Sequence, residues 1–411
     1  MHSPSRSFSA FAAVVLITLA ALPLAASAQD FTVLQNFNIT NGEEPLTPPI
    51  LASDGNLYGA TAHGGANANG LIYKLTPQNE LTTLYAFCSQ TNCTDGSDPA
   101  FGPMQGADGN LYGSTYYGGA NSLGVVYKLT LSGKLTVLHS FCFCEDGWYS
   151  NGLLADGKGG FYGSTLEGGS HQFGTIFHLT GHGTLTTLYN FCGSQPSCIN
   201  AYTNNSEFQA LVLGVDGNVY GITSTGGQKY DLCSASGCGT VFKITQQGEF
   251  SIVYSFCSLT NCADGGQPTW LIQSADGNFY GATGVGGSQA HGGGTVFQLT
   301  TSGVLKTLHS FSAAQDGTSG YAPFGLIQAA NGTLYGTTTF GGNEDQTCKN
   351  LGCGTVFSVT TSGAFESLHS FDASDGYAPE GLVQSSDTTL IGTTSFGGAH
   401  NGGVIFSLNL N

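Results

Sequence analysis

Residues 53–61, SDGNLYGAT, place an Asp-Gly turn ahead of an aliphatic, an aromatic and a glycine. The stretch returns as ADGNLYGST (107–115), VDGNVYGIT (215–223) and ADGNFYGAT (275–283). Looser copies are GFYGST (160–165), NGTLYGTT (331–338) and DTTLIGTT (387–394). Its aromatic recurs at Tyr58, Tyr112, Tyr162, Tyr220, Tyr280 and Tyr335, with Ile391 in the seventh place, every 50 to 60 residues. Self-similarity at a fixed period is the signature of repeat architectures.

Three further words travel with it. GLIYKLT from Gly70 recurs from Gly124, Gly174, Gly239, Gly294, Gly354 and Gly403, and LTTLYAF from Leu81 recurs as LTVLHSF, LTTLYNF, FSIVYSF, LKTLHSF and FESLHSF. A short word such as GLIQ at Gly325 precedes each opening motif. All four are runs of β-branched, aromatic and leucine residues bounded by Gly, Asn, Asp and Ser, which is the strand signal, and no helical period competes. Four strands per unit and seven units predict an all-β, seven-bladed β-propeller. The seventh unit stops at its third word, while Phe31–Phe37 (FTVLQNF) match the missing fourth. The N-terminal strand 31–37 is therefore expected to complete the last blade beside 403–409, closing the ring and removing an exposed edge.

Residues 1–28 read as a secretory signal peptide, with Arg6, an apolar run from Phe8 and a small-residue site at Ala26-Ser27-Ala28. Residues 29–411 then form one exported propeller domain, expected in the periplasm, at the cell surface or outside the cell, monomeric and not inserted in a membrane. The chain has a net charge of −17, and Arg6 is its one arginine. Without guanidinium forks or a cationic footprint, nucleic acid and anionic membranes are poor partners. Neutral sugars, cations and proteins remain. The abundant glycine is read as tight turns. Twelve cysteines fall into six local pairs, 88/93, 142/144, 192/198, 233/238, 257/262 and 348/353. In an exported chain these predict disulfides, with Cys142 and Cys144 awkwardly close. A zinc site needs four converging ligands, and no CxxC…CxxC spacing is present.

The words DGNLYG, Gly-Gly, GTVFKLT and SF…DG…P resemble the GloVer (Gloeo/Verruco) tandem-repeat family of exported bacterial proteins, from about Phe31 to the end. The resemblance implies a β-propeller and export, often with a varied C-terminal surface anchor; none is expected here after Asn411. The family brings no established activity, so no catalytic residue is transferred.

The Asp-Gly turns of the opening motif are read as structural, with no cofactor expected and calcium the one cation their carboxylates could take. The long loops at the opposite end are the expected binding face. They repeat an acidic residue at Asp95, Asp146, Asp264, Asp316 and Asp375, and carry Trp148, Tyr149, Trp270, Tyr321 and Tyr377. Carboxylates beside aromatic rings suit a neutral glycan, or a protein ligand. His139, His309 and His369 share a repeat position with Tyr85, Tyr189 and Tyr254 and are read as structural; His63, His171, His291 and His400 lie in the other long loops. The principal reading is a non-enzymatic binding propeller. The alternatives are a carbohydrate-active hydrolase or lyase, using Glu145 and Asp146 or Asp375 and Glu380, and a structural protein of the cell envelope. Two longer loops, 228–238 and 343–353, would be braced by their cysteine pairs, and 201–207 departs from the repeat.

Overall fold

In the computed structural model the described residues are 29–191, 211–233, 237–288, 292–313, 319–342, 348 and 351–410. They form seven four-stranded antiparallel sheets arranged as a seven-bladed propeller. Blade 1 runs outward from the axis through Ile50–Leu51, Leu57–Thr61, Leu71–Leu75 and Leu81–Ala86. Blade 7 follows the same order through Tyr377–Ser386, Thr389–Phe396 and Val404–Asn409, and its outer strand is Phe31–Asn36 from the other end of the chain. That ladder pairs Phe31 with Leu408 and Asn36 with Val404, so the ring closes as the repeat count requires. Among the described residues no helix is long and apolar enough to cross a membrane.

The second and third strands are buried almost throughout. Their packing explains why Tyr-Gly in one word always accompanies an aromatic in the next. A Cβ on Gly59 would stand 2.3 Å from Tyr73 Cζ. Gly113 meets Tyr127 in the same way, and Gly163, Gly221, Gly281, Gly336 and Gly392 meet Phe177, Phe242, Phe297, Phe357 and Phe406. These glycines are slots in mid-strand that receive the aromatic ring of the neighbouring strand. The turn reading holds for others, such as Gly55 at φ 79° in the Asp-Gly turn.

Recurring side-chain bonds hold both ends of the strands. At the turn end, the glutamine closing an inner strand bridges two hairpins. Gln105 accepts from Ser53 N at 2.8 Å and donates to Gly109 O at 3.0 Å. Gln273, Gln328 and Gln384 repeat the latch, to Val215 N, Ser274 Oγ and Ala330 N. At the loop end, the threonine of the second-strand word donates to the carbonyl two residues on in all seven blades, as Thr61 does to His63 O at 3.0 Å.

Disulfides join Cys88–Cys93, Cys142–Cys144, Cys233–Cys238, Cys257–Cys262 and Cys348–Cys353. Cys192 and Cys198, like 201–207, lie outside the described residues.

Candidate functional site at the propeller axis

The repeated loop carboxylates are turned toward the outer strands. Asp95 is fully buried and accepts from Tyr85 Oη at 2.7 Å, Ser89 N at 2.9 Å and Ser89 Oγ at 2.8 Å. Asp264 accepts from Tyr254 Oη at 2.7 Å and Ser258 N at 2.9 Å. Asp146 pairs with His139 at 2.7 Å, and Asp375 with His369 at 2.9 Å. In these four places the Tyr or His of the SF word is thus the partner of the Asp that follows it. The glycine after that Asp reaches the next blade. A Cβ on Gly96, Gly147, Gly265 or Gly376 would meet the threonine that ends the neighbouring second-strand word, Thr115, Thr165, Thr283 or Thr394. Each Asp-Gly therefore stitches one blade's outer strand to its neighbour. In blade 6 the glycine at this place is Gly320, against Thr338, so Ser319 stands where those four blades have Asp; in blade 1 it is Gly42, against Thr61, preceded by Asn41. Asp316 falls outside the described residues.

The aromatic candidates separate into two groups. Trp148, Tyr321 and Tyr377 share one position at the start of an inner strand, opposite Glu167, Phe340 and Phe396. Trp148 is buried, donates Nε1–H to Glu167 Oε2 at 3.2 Å and is capped by Phe143. Tyr321 and Tyr377 lie against Phe340 and Phe396 with centroids 5.3 and 5.2 Å apart.

Trp270 and Tyr149 belong to a different surface. Trp270 stands mid-strand, beyond a bulge between Pro268 and Trp270, and walls a cavity of about 270 Å³ at the axis. Phe324 meets it edge-on at 5.3 Å, and Pro48, Phe101, Leu153, Leu154 and Leu211 complete most of the apolar wall. Thr47 and Asn151 supply the polar side chains, and among the described residues no charged side chain lines it. Asn151 Nδ2 is buried with no hydrogen-bond partner among the described residues. Inner strands converge tightly here: Gly102 N donates to Thr47 Oγ1 at 2.8 Å, and Gly325 and Gly381 approach so closely that a Cβ on either would meet the other's Cα.

A row of rings leads from this cavity to the loop face. Phe101 lies 6.1 Å from Tyr116, Tyr116 lies 6.3 Å from Tyr149, and Tyr149 lies 5.3 Å from Tyr117. Tyr117 is 47% exposed. Tyr116 Oη also donates to Asn151 Oδ1 at 3.5 Å, tying the row to the cavity wall. Burial, and then the neighbouring Tyr117 and Glu167, raise the Tyr149 pKa, so its hydroxyl stays protonated and can donate. Sequence reasoning passes over Tyr116 and Tyr117, although they are the one adjacent tyrosine pair after a YGST-type word.

The turn face is occupied by its own chemistry. Asp54, Asp108, Asp216 and Asp276 each accept from the N–H of the Asn two residues on and from the Tyr four residues on, as in Tyr58 Oη to Asp54 Oδ2 at 2.9 Å. Burial opposes their ionisation, but these hydrogen bonds, led at Asp108 by one from Lys128, prevail and their pKa values fall, that of Asp216 to about 2. A concavity of about 760 Å³ between blades 2 and 3 opens where Ala155 replaces the bridging glutamine. Its acids Asp108 and Asp156 are paired with Lys128 and His178.

A family model described as the Gloeobacter/Verrucomicrobia repeat matches residues 22–233 and 207–411. No curated protein matches the chain in sequence. Two solved structures of the extracellular domain of the B. thetaiotaomicron system BT4673 superpose with TM-scores of 0.55 and 0.56 at 10% and 11% identity. They cover 93% of this chain, which spans 42% and 43% of theirs. The PQQ-bound aldose sugar dehydrogenase of Streptomyces coelicolor, at a TM-score of 0.46 and 12% identity, covers 94% of this chain and 99% of its own. At such identities the likeness is one of fold.

Proposed function

The chain belongs to the Gloeobacter/Verrucomicrobia repeat family, and we propose that it is an exported propeller that binds a neutral glycan at the loop end of its axis. One observation carries this reading: a row of aromatic rings, Tyr117 to Phe101, descends into an uncharged cavity walled by Trp270 and Phe324. Aromatic faces cover the apolar C–H faces of a sugar ring, while Tyr hydroxyls, Thr47 and Asn151 offer hydrogen bonds to its hydroxyls. A charged ligand would lose its hydration there without gaining a counter-charge. The cavity is near the small end of ligand pockets, which suits one terminal sugar ring with the remainder of the chain along the tyrosines.

The test is a panel of neutral oligosaccharides titrated against the mature chain. Trp148→Phe leaves Trp270 as the single tryptophan reporter. Binding should perturb its emission and, measured by isothermal titration calorimetry, weaken at least tenfold in Trp270→Ala and Tyr149→Ala. The reading fails if no glycan binds, or if both variants bind as wild type. A protein ligand would show itself as capture that free glycans do not compete.

A second reading, a hydrolase or lyase working beside this cavity, is favoured by Glu380. This acid lies on the inner strand of blade 7, accepts from Ser395 Oγ, and precedes Gly381, whose Cβ position is 3.5 Å from Pro48 in the cavity wall. General acid–base cleavage needs a second carboxylate about 5 to 10 Å away. Cleavage of a bound glycan that disappears in Glu380→Gln would move the conclusion to this reading.

A further inference from the structure

Two kinds of Cys-x4-Cys pair occur in the ring. One follows an outer strand, as Cys88–Cys93 does after blade 1, and the other precedes a third strand, as Cys348–Cys353 does in blade 6. Blade 4 carries both, and there they meet. The Sγ atoms of Cys233, Cys238, Cys257 and Cys262 all lie within 4.8 Å of one another, with Cys233 Sγ 3.6 Å from Cys257 Sγ, and all four residues are buried.

The neighbouring strand makes room for them. The first inner-strand residue is Trp148, Tyr321 or Tyr377 in blades 3, 6 and 7, but Gly266 in blade 5. A Cβ on Gly266 would stand 3.0 Å from Cys233 Sγ and 3.1 Å from Cys257 Sγ. Four thiolates around a tetrahedral zinc ion, at Zn–S of about 2.3 Å, stand about 3.8 Å apart. Once the two disulfide bonds open, the cross-pair distance of 3.6 Å and the limit of 4.8 Å bracket that figure.

We propose that the four sulfurs are a two-state site: a pair of stacked disulfides when oxidised, and a tetrathiolate site for one Zn²⁺ when reduced. The chemistry balances with a dithiol reductant. Each disulfide takes two electrons and two protons from one dithiol, which leaves as its own cyclic disulfide. The four resulting thiols then lose four protons as they bind the ion, giving a complex of net charge −2. In the oxidised state the long loop of blade 4 is closed on itself. In the zinc state it is fastened to the segment leading into blade 5, so the ion would take over bracing the loop face when the disulfides open. The inference is independent of the ligand bound at the axis.

The test uses the full mature chain, reduced with dithiothreitol under argon, freed of reductant and titrated with Zn²⁺ or Co²⁺. One metal per chain is expected, with the visible bands of tetrahedral cobalt tetrathiolate. Zinc should protect Cys233, Cys238, Cys257 and Cys262 from alkylation, read by peptide mass spectrometry, and leave Cys348 and Cys353 open. The Cys257→Ser/Cys262→Ser variant should lose the metal, and Cys88→Ser/Cys93→Ser should keep it. Because a variant could misfold, alkylation of the wild-type chain decides by itself. Protection of other cysteines, no metal uptake, or loss of the fold on reduction even with zinc present overturns the proposal.

Discussion

Asp95→Ala probes the stitch between blades. It removes the acceptor of a 2.7 Å bond from Tyr85 Oη and of two bonds from Ser89, at a carboxylate with no exposed surface. Ser89 is exposed, so its N–H and hydroxyl can turn to water. Counting the tyrosine bond to a charged acceptor at about 2 kcal/mol and each re-solvated bond at about 0.5 gives a loss of about 3 kcal/mol. With roughly 2.1 cal/mol/K of unfolding entropy per residue, that is a fall in melting temperature of about 4 °C. Tyr85→Phe alone should cost about 2 kcal/mol, and the double variant should cost clearly less than the two together. Acidity gives a further check. Burial opposes ionisation of Asp95, but the bonds from Tyr85 and Ser89 outweigh it, so its folded pKa lies below the ordinary value. Its contribution is therefore complete above the unfolded value of about 4 and is lost as pH falls through the lower folded value. Calorimetry of the three variants from pH 7 to pH 2 measures all of this. Equal melting of wild type and Asp95→Ala at pH 7, strict additivity with Tyr85→Phe, or a stability gap that persists undiminished in acid would refute the reasoning.

Three more outcomes follow from the fold. The Tyr73 and Tyr127 hydroxyls are buried with no partner among the described residues, while the five other blades have Phe at this place, so Tyr73→Phe and Tyr127→Phe should each stabilise by about 1 kcal/mol in urea unfolding. A chain lacking Phe31–Asn36 exposes the Val404–Asn409 edge and should self-associate on size exclusion; a stable monomer with native ellipticity would count against the closure being needed. The lowered pKa values of Asp54, Asp108, Asp216 and Asp276 mean stability present above about pH 4 and lost as pH falls toward 2. A urea midpoint that does not move between pH 5 and pH 2 would contradict that.

The blade count, strand order and closure were legible because each rests on local words repeated at a fixed period. The slots at Gly59 and its counterparts were not, since a mid-strand glycine and a turn glycine look alike until the facing aromatic is placed. The loop carboxylates were legible as a repeat, but their partners were not: the position that receives Asp95 or Asp146 alternates between Tyr and His, which hides a shared role as donor. Trp270 and Trp148 both follow an Asp-Gly, yet bulges in the inner strands break the alternation that would say which side chain faces the axis. The four-sulfur cluster is hidden at the level of sequence because its pairs lie on separate loops, with four residues between the cysteines of each.

The ladder between Phe31–Asn36 and Val404–Asn409 sets a timetable for folding. A chain synthesised from its N-terminus makes this strand first and pairs it last. Every other blade is assembled from neighbouring segments and can form as it emerges, but the ring stays open until Val404 arrives. A product cut short before that point leaves two loose edges, both open to pairing with other chains. The joint thus makes completion of synthesis a condition of the closed structure, which would not hold for a propeller closed within one blade's own sequence.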